Sequence, residues 1–171
     1  MKKSSKTPAP FYQAHNYRPE ESVGYLMRSI LSHLSLAIEH ELAPTELTHA
    51  QWLPLFKLFI GKASTAAELA RECRLDAGAT TRMLDRMEAK GLCARTRSQE
   101  DRRVVHLALT PAGERAAQGI PAVLSKVQNA HLAGFSTEEF ELLKVFLRRI
   151  LDNAQALNAP AAPPTSPPTT P

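Results

Sequence analysis

Apolar residues recur at helical spacing along most of the chain, and the first such segment runs from Ser22 to Leu42. Its apolar positions occupy more than one face, which a helix packed on a single side does not require. They are Val23, Leu26, Met27, Ile30, Leu31, Leu34, Ala37, Ile38 and Leu42. The pattern therefore predicts a long helix that is buried on at least two sides.

Two shorter helices follow, and each begins with a pair of capping residues. Thr48 and Gln51 have the spacing of a capping box, in which each side chain binds a backbone N–H group of the other residue. Thr65 and Glu68 repeat this arrangement. The apolar spacing predicts that the helix after Thr65 continues to Leu75.

A fourth helix is predicted between Asp76, which caps its N-terminus, and Gly91, which ends it. Its apolar residues Met83, Leu84 and Met87 have helical spacing, so their face is expected to point to the core. The third and fourth helices are joined by a tight connection, as in a helix-turn-helix.

After residue 91 the apolar period changes from that of a helix to that of a strand. Residues 92–98 and 104–110 predict two short strands around a charged turn. In the second strand, Val105, Leu107 and Leu109 alternate with Val104, His106 and Ala108. Two short helices followed by a hairpin with a charged tip form a winged helix-turn-helix, which places its second helix in the major groove of DNA.

The remaining segment predicts two more helices. Thr110 and Pro111 are an N-cap and first-turn pair for the fifth helix, which Gly119 and Pro121 are expected to kink. The sixth helix begins at Ser136 with another capping box. Its apolar residues, at alternating steps of 3 and 4, are Phe140, Leu143, Leu147, Ile150, Ala154 and Leu157. Such a stripe is typical of a helix that packs against another helix.

The composition indicates one globular domain between two tails. The chain has 171 residues, of which 43% are hydrophobic and 22% charged, enough to bury a core without a disulfide or a metal. Residues 1–19 are polar and basic and are expected to be a flexible tail, and residues 159–171 are rich in proline and are expected to be disordered. Residues 20–158 are left as a single domain.

The sequence shows no sign of catalysis, a cofactor, a metal site or a membrane span. It contains no catalytic or nucleotide-binding motif, and His33 and His40 are too far apart on one helix to chelate the same ion. No window reaches the ~18 apolar residues of a membrane span, and residues 1–10 lack the apolar stretch of a signal peptide. We expect a cytoplasmic protein that is not an enzyme, in which Cys73 and Cys93 are buried free thiols.

The charge distribution alone does not identify a partner. The net charge is +4, and residues 61–115 carry eleven Lys and Arg against eight Asp and Glu. A solvated helix face with mixed charges gives the same count, so this excess does not establish nucleic-acid binding. Evidence for or against nucleic-acid binding must therefore come from the sequence motifs.

The run from Thr80 to Glu114, TTRMLDRMEAKGLCARTRSQEDRRVVHLALTPAGE, resembles the MarR family of bacterial transcription regulators. The most specific part of the resemblance is the wing motif, which consists of Asp101, Arg103, Leu109 and Thr110. The resemblance extends over about residues 22–157 and leaves only the tails.

This resemblance implies a mainly α protein, a homodimer whose subunits each carry a winged helix-turn-helix with a two-stranded β-wing. The DNA-binding lobe would occupy about residues 48–111, and N- and C-terminal dimerisation helices would flank it at about residues 20–43 and 112–158. Such proteins bind pseudopalindromic promoter DNA and are commonly released from it by a small molecule or by oxidation. We therefore expect a repressor that occupies promoter DNA.

Short side chains in the first turns of the fourth helix allow a close approach to base edges. The predicted DNA-binding residues of this helix are Ala77, Ala79, Thr80, Thr81, Arg82 and Arg86. Threonine methyl and hydroxyl groups can meet thymine methyls or phosphates, and the arginines can reach guanine or a backbone oxygen. The alternative is a solvated helix face with no partner, which the hairpin that follows makes the weaker interpretation.

The arginines of the predicted wing are expected to contact the minor groove and the phosphates. By family resemblance Arg103 enters the narrow, strongly negative minor groove, with Arg102 beside it. Asp101 would fix the loop through an ion pair with a nearby arginine. Arg95 and Arg97 lie at the base of the wing and are expected to contact phosphates. The alternative is a charged turn that only keeps the hairpin soluble.

The family resemblance also implies a small-molecule pocket between the dimerisation helices and the winged helix. Tyr25, Ser29 and His33 recur at every fourth position of the first helix, and Trp52 lies at the start of the second. With Arg28 they offer flat walls and polar groups for a small aromatic carboxylate or phenol. The alternative is a hydrogen-bonded polar patch at the dimer interface.

Two other functions remain open from the sequence. The chain could be an interaction module that binds a protein partner through its proline-rich tail and has no effector. It could also be a regulator of the same fold that responds to a metal or to thiol oxidation, which requires an accessible cysteine with a lowered pKa.

Overall fold

The computed structural model describes residues 11–45 and 47–158, and most of them are helical. Within this range the helices are α1 Val23–Leu42, α2 His49–Phe59, α3 Ala66–Cys73, α4 Ala77–Ala89, α5 Pro111–Gln118, α6 Ile120–His131 and α7 Thr137–Leu157. The strands are β1 Cys93–Arg97 and β2 Val105–Leu109. Residues 1–10 of the predicted N-terminal tail and the whole predicted C-terminal tail, residues 159–171, lie outside the described residues.

The described chain divides into two compact units, where the sequence predicted one domain over residues 20–158. One unit ends at His131 and contains α1 to α6 with both strands, and the other begins at Leu132 and contains α7. No residue of α7 is buried.

The core of the first unit joins its helices to the hairpin. Leu42, Leu55, Leu69, Met87 and Ile120 are almost completely buried and come from five different helices. Because each helix contributes to a single cluster, the helix-turn-helix and its supporting helices form one packed body.

The predicted capping pairs form as expected. The Gln51 side chain accepts the Thr48 N–H group at 3.2 Å, and Thr65 and Glu68 bind each other's N–H groups at 3.1 and 3.2 Å. Helix α3 ends two residues before the predicted Leu75, because Arg74 adopts a left-handed conformation with φ 53°. An arginine there gives no sequence signal, since glycine is the usual residue at such a position.

The predicted hairpin is also confirmed. The strands pair antiparallel, with Arg95 opposite Leu107, and Leu107 is buried whereas His106 and Ala108 are exposed. The Leu107 N–H group donates to the Ser64 carbonyl at 2.8 Å. This bond ties the outer edge of β2 to the segment before α3.

The expected kink after α5 is a complete break between two helices at Gly119. At the other end of α5, the Thr110 side chain accepts the Gly113 N–H group at 3.0 Å, and its hydroxyl donates to the Gly91 carbonyl. Gly113 lies directly on the backbone of Leu92, so the first turn of α5 fixes the start of the wing.

Residues 11–22, before α1, contain two short turns, and the flexibility predicted for residues 1–19 stays a prediction. Short 3₁₀ turns cover Ala14–Asn16 and Pro19–Glu21, and the Tyr12 hydroxyl accepts the Val23 N–H group at 2.9 Å. This contact satisfies one of the free N–H groups at the start of α1.

Helix α1 differs from its prediction, because only Ile38 and Leu42 are buried. Leu31 and Leu36 have exposed fractions of 62% and 61%. The prediction of burial on at least two sides is therefore wrong for the single described chain, which leaves most of this apolar surface uncovered. None of the helices in the described range is long and apolar enough to cross a membrane.

Candidate nucleic-acid interface

Helix α4 has one buried and one exposed face. The Asp76 side chain accepts the Ala79 N–H group at 2.7 Å and starts the helix. Met83, Leu84 and Met87 are buried in the core. The exposed residues on the other face are Ala77, Thr81, Arg82, Asp85 and Arg86.

The structure places most, but not all, of the predicted α4 residues on this exposed face. Thr80 is only 5% exposed, and its hydroxyl donates to the Asp76 carbonyl at 2.8 Å. Its side chain is therefore not available to DNA in this structure, because it points to the same side as Met83 and Leu84. Ala79 is half-buried, whereas Thr81 is exposed with its hydroxyl on the Ala77 carbonyl at 2.9 Å.

The two arginines of α4 are both exposed and lie one turn apart. The Arg86 Nε group donates to the Arg82 carbonyl at 3.1 Å, so the base of that guanidinium is held along the helix. Arg82 extends towards the N-terminus of α4, where its Nη1 atom would lie 3.4 Å from a Cβ atom built on Gly78. Each arginine therefore presents its charge at a different point along the exposed face.

The turn between β1 and β2 is held by hydrogen bonds to its own backbone. The Asp101 carboxylate accepts the Arg103 N–H group at 2.9 Å, and the Asp101 carbonyl accepts that of Val104 at 2.9 Å. The ion pair expected from the sequence between Asp101 and an arginine is absent from the described residues. Because the backbone bond fixes the turn instead, the side chains of Arg102 and Arg103 stay exposed.

Arg95 has a different setting from the other wing arginines. Its guanidinium lies 2.7 Å from an Asp85 carboxylate oxygen and binds Glu88 through Nε at 3.0 Å and Nη2 at 2.5 Å. These bonds lower the pKa of the Glu88 carboxyl and raise the pKa of Arg95. The Arg95 guanidinium is therefore engaged by two carboxylates, whereas Arg97 is exposed. The phosphate contacts of both arginines stay predictions.

A cleft of about 630 Å³ lies between α3, α4 and the hairpin. The residues that α3 contributes to its lining are all alanines. Its polar lining comes from Thr80, Thr81, Glu88, Arg95 and Arg97. A smaller cleft of about 400 Å³ lies between the end of α2, β2 and α5.

The predicted effector residues do not form a cavity in the described chain. Tyr25, Arg28 and His33 are exposed on α1 and Ser29 is half-buried, whereas Trp52 is 7% exposed within the core. None of them lines either cleft. Trp52 is therefore a core residue, and the pocket expected from the sequence is not formed by these five side chains within one chain.

The structure gives no support to a thiol or metal sensor among the described residues. Burial raises the pKa of both Cys93 and Cys73, which disfavours the reactive thiolate. No group of three or more His, Cys, Asp or Glu side chains in the described range is arranged to hold a metal ion.

The sequence reasoning missed Asp85 and Glu88 as the partners of Arg95. Their spacing of three residues places both carboxylates on one side of α4, which is a detectable signal. The sequence does not show, however, that β1 passes on that side. It also missed Gly113, whose role depends on contact with a residue 21 positions away.

The chain is similar to known transcription regulators over most of its length. Residues 47–105 match the model of the MarR family. The solved structure of the transcriptional regulator PA3341 is 31% identical, with a TM-score of 0.70, and the match covers 79% of this chain and 99% of that one. The match to the transcriptional repressor CouR bound to a 23-mer DNA duplex has 26% identity, a TM-score of 0.68 and coverage of 77% and 94%.

A third match is a cysteine-to-serine variant of MarR from E. coli complexed with operator DNA. It is 25% identical, with a TM-score of 0.69, and covers 75% of this chain and 93% of that one. The family model spans α2, the helix-turn-helix and β1, and it ends at the first residue of β2. The chain belongs to the MarR family and has the winged-helix fold of these transcription regulators.

Proposed function

We propose that this protein is a homodimeric repressor that binds promoter DNA, with α4 in the major groove and the wing in the adjacent minor groove. The observation that carries the proposal is the exposed cationic surface formed by α4 and the wing. Its arginines are Arg82, Arg86, Arg97, Arg102 and Arg103, and all are exposed. The two related proteins solved with DNA support this assignment.

The distribution of side chains fits the two grooves. The exposed start of α4 carries Ala77 and Thr81, which are short enough for close approach to base edges, and Arg82 lies beside them. The wing tip carries Arg103 on a turn fixed by Asp101. An arginine on a narrow, rigid turn suits the minor groove, where a narrow width strengthens the negative potential.

The homodimer is supported by apolar surface that each unit leaves uncovered. On α1, Ile30 and Leu31 have exposed fractions of 53% and 62%, and on α7, Val145 and Leu151 have 53% and 50%. Patches of this kind on soluble proteins mark sites of association. A second copy would cover equivalent surfaces symmetrically, and light scattering should give about twice 18.8 kDa.

Substitution at the wing tip tests the DNA-binding proposal. Arg103→Ala should weaken operator binding by at least ~1 kcal/mol for every operator variant and lower the salt slope by about one, because one phosphate-directed charge is lost. Arg18→Ala removes the same charge from a residue that pairs with Glu21 before α1, and is the matched control. Unchanged affinity and salt dependence in Arg103→Ala would remove the wing from the mechanism.

We propose further that a small aromatic carboxylate or phenol releases the protein from DNA. The polar stripe Tyr25, Ser29 and His33 on α1 supports this, because its exposed groups are available for a site completed by a second subunit. Such a ligand must bind preferentially to a dimer in which the spacing of the two α4 helices does not fit successive major grooves of DNA. A coupling of ~1–3 kcal/mol would change operator affinity about 5- to 150-fold.

Titration of hydroxylated aromatic acids into the protein–operator complex tests the effector. Release should occur with the wild type and be reduced in His33→Ala, which is exposed and should fold normally. Trp52→Ala is unsuitable, since removal of a buried tryptophan costs ~3–5 kcal/mol of stability. If release persists in His33→Ala, the site lies elsewhere, and the cleft that Thr81 and Arg97 line is the next candidate.

A further inference from the structure

Three charged side chains connect α4 to the base of the wing. We propose that Glu88 and Asp85 are positioning residues that hold β1 through Arg95 and thereby determine where the wing tip meets DNA. The inference rests on the proposed function, because it concerns the same DNA-binding surface.

One residue pair of the hairpin, Arg95 in β1 and Leu107 in β2, is hydrogen-bonded to the rest of the unit through both strands. Arg95 and Leu107 are direct partners in the strand pairing. The Arg95 N–H group donates to the Glu88 carboxylate at 3.2 Å, while the Leu107 N–H group donates to the Ser64 carbonyl at 2.8 Å. The two acceptors lie outside the hairpin, Glu88 in α4 and Ser64 just before α3. The pair Arg95 and Leu107 is therefore the fixed end of the wing.

The side-chain contacts strengthen the same connection. The Arg95 guanidinium binds Glu88 through Nε and Nη2 and lies 2.7 Å from Asp85 through Nη1. With the backbone bond, Glu88 holds Arg95 at three nitrogen atoms. Only arginine offers this planar arrangement of donors, and lysine would keep the charge without the fork.

Beyond this pair, β2 still contacts the segment before α3 through the bridge between His106 and Thr65, and Val105 packs against the core. On the α4 side, a cleft of about 630 Å³ lies between the helix and the strands, so close packing does not fix the distance between α4 and β1. Arg103 lies four residues beyond Leu107, and even a fully extended chain of that length would span at most about 13 Å. A tilt of about 15° at this pair would move Arg103 by up to about 3 Å, which is enough to break a hydrogen bond.

The charge of Glu88 alone and a positioning role of Glu88 predict opposite effects on DNA binding when Glu88 is replaced. A carboxylate on the DNA-facing side repels phosphates, so its removal should strengthen binding if Glu88 has no positioning role. Free Arg95 would also gain a phosphate contact. If Glu88 positions the wing, its removal should weaken binding although the surface becomes more positive.

Glu88→Gln, Arg103→Ala and the double variant, compared on one operator, test the inference. Glu88→Gln should weaken binding by about 5-fold or more, and Arg103→Ala should cost under about 2-fold in that background, because a displaced wing no longer uses Arg103. Glu100→Gln is the control. It removes the same charge from the exposed turn, where Glu100 makes no ion pair within the described residues, and it should not weaken binding.

Arg95→Lys provides an independent variant that keeps the positive charge. We expect it to weaken binding as Glu88→Gln does, with circular dichroism showing a folded protein in both. Equal or tighter binding by Glu88→Gln, or an unchanged effect of Arg103→Ala in that background, would overturn the inference. Failure of the wild type to bind any DNA would overturn the proposed function instead, and this inference with it.

Discussion

Gly113→Ala should destabilise the protein, although alanine normally favours a helix. A Cβ atom at residue 113 would lie 1.8 Å from the Leu92 carbonyl oxygen and 2.8 Å from its carbonyl carbon. An ordinary carbon–oxygen contact is about 3.3 Å, so α5 and the start of β1 would have to separate by about 1.5 Å. This shift would strain the bonds of Thr110 to Gly91 and Leu92 that join the two elements.

The magnitude follows from three terms. Forcing an extra methyl group into a packed site costs ~1–3 kcal/mol, and weakening the Thr110 cap and its neighbouring bonds costs ~1–2 kcal/mol. The helix propensity of alanine offsets ~1 kcal/mol. The net loss is about 1–4 kcal/mol, or a fall in melting temperature of roughly 3–12 °C.

Urea unfolding followed by circular dichroism at matched protein concentrations measures this loss. Gly119→Ala is the control, because Gly119 has φ −78° and nothing within 4 Å of its added Cβ atom. This variant should be as stable as the wild type or slightly more so. A Gly113→Ala protein with wild-type stability would refute the contact, and an equal loss in both variants would show a general sensitivity to alanine.

Three further predictions follow from the same structure. Backbone and hydroxyl bonds from Ser64 and Thr65 lower the pKa of Glu68 to about 2, so its stabilising effect is present above the unfolded pKa of ~4.3 and is lost as the pH falls through about 2. The difference in unfolding free energy between wild type and Glu68→Gln should therefore shrink between about pH 6 and pH 2, and a constant difference would contradict this. Peroxide should leave operator binding unchanged, since both thiols are protected by a raised pKa; a loss of binding that Cys93→Ser abolishes would restore the thiol sensor. Leu31→Glu should shift the protein towards the monomer in light scattering, because it places a charge in exposed apolar surface of α1, and an unchanged dimer would exclude that surface.

Most of the fold could be predicted because its signals are local. A capping box such as Thr65 and Glu68 is a contact between residues three positions apart, and the alternation in β2 reflects its own two faces. The end of α3 was misplaced because Arg74 takes a conformation that its side chain does not favour. The separation of α7 from the first unit depends on contacts between distant residues, which periodicity does not reveal.

In the candidate site, the burial of some residues could be predicted from the sequence, whereas the contacts of others could not. Thr80 could have been assigned to the core, because it precedes Met83 and Leu84 by three and four positions and must share their face. Arg95 could not be distinguished from Arg97, since both are arginines on the same strand. Only the position of β1 beside Glu88 shows that the Arg95 guanidinium binds that carboxylate.

Selection of bound fragments from genomic DNA, followed by footprinting, tests whether the protein binds operator DNA as a symmetric dimer. We expect enrichment of inverted repeats whose half-site centres lie ~10 bp apart, as the two α4 helices of a symmetric dimer require. We also expect that insertion of five base pairs between the half-sites abolishes high-affinity binding. No enrichment over unselected DNA, or binding that is indifferent to the insertion, would contradict binding as a symmetric dimer.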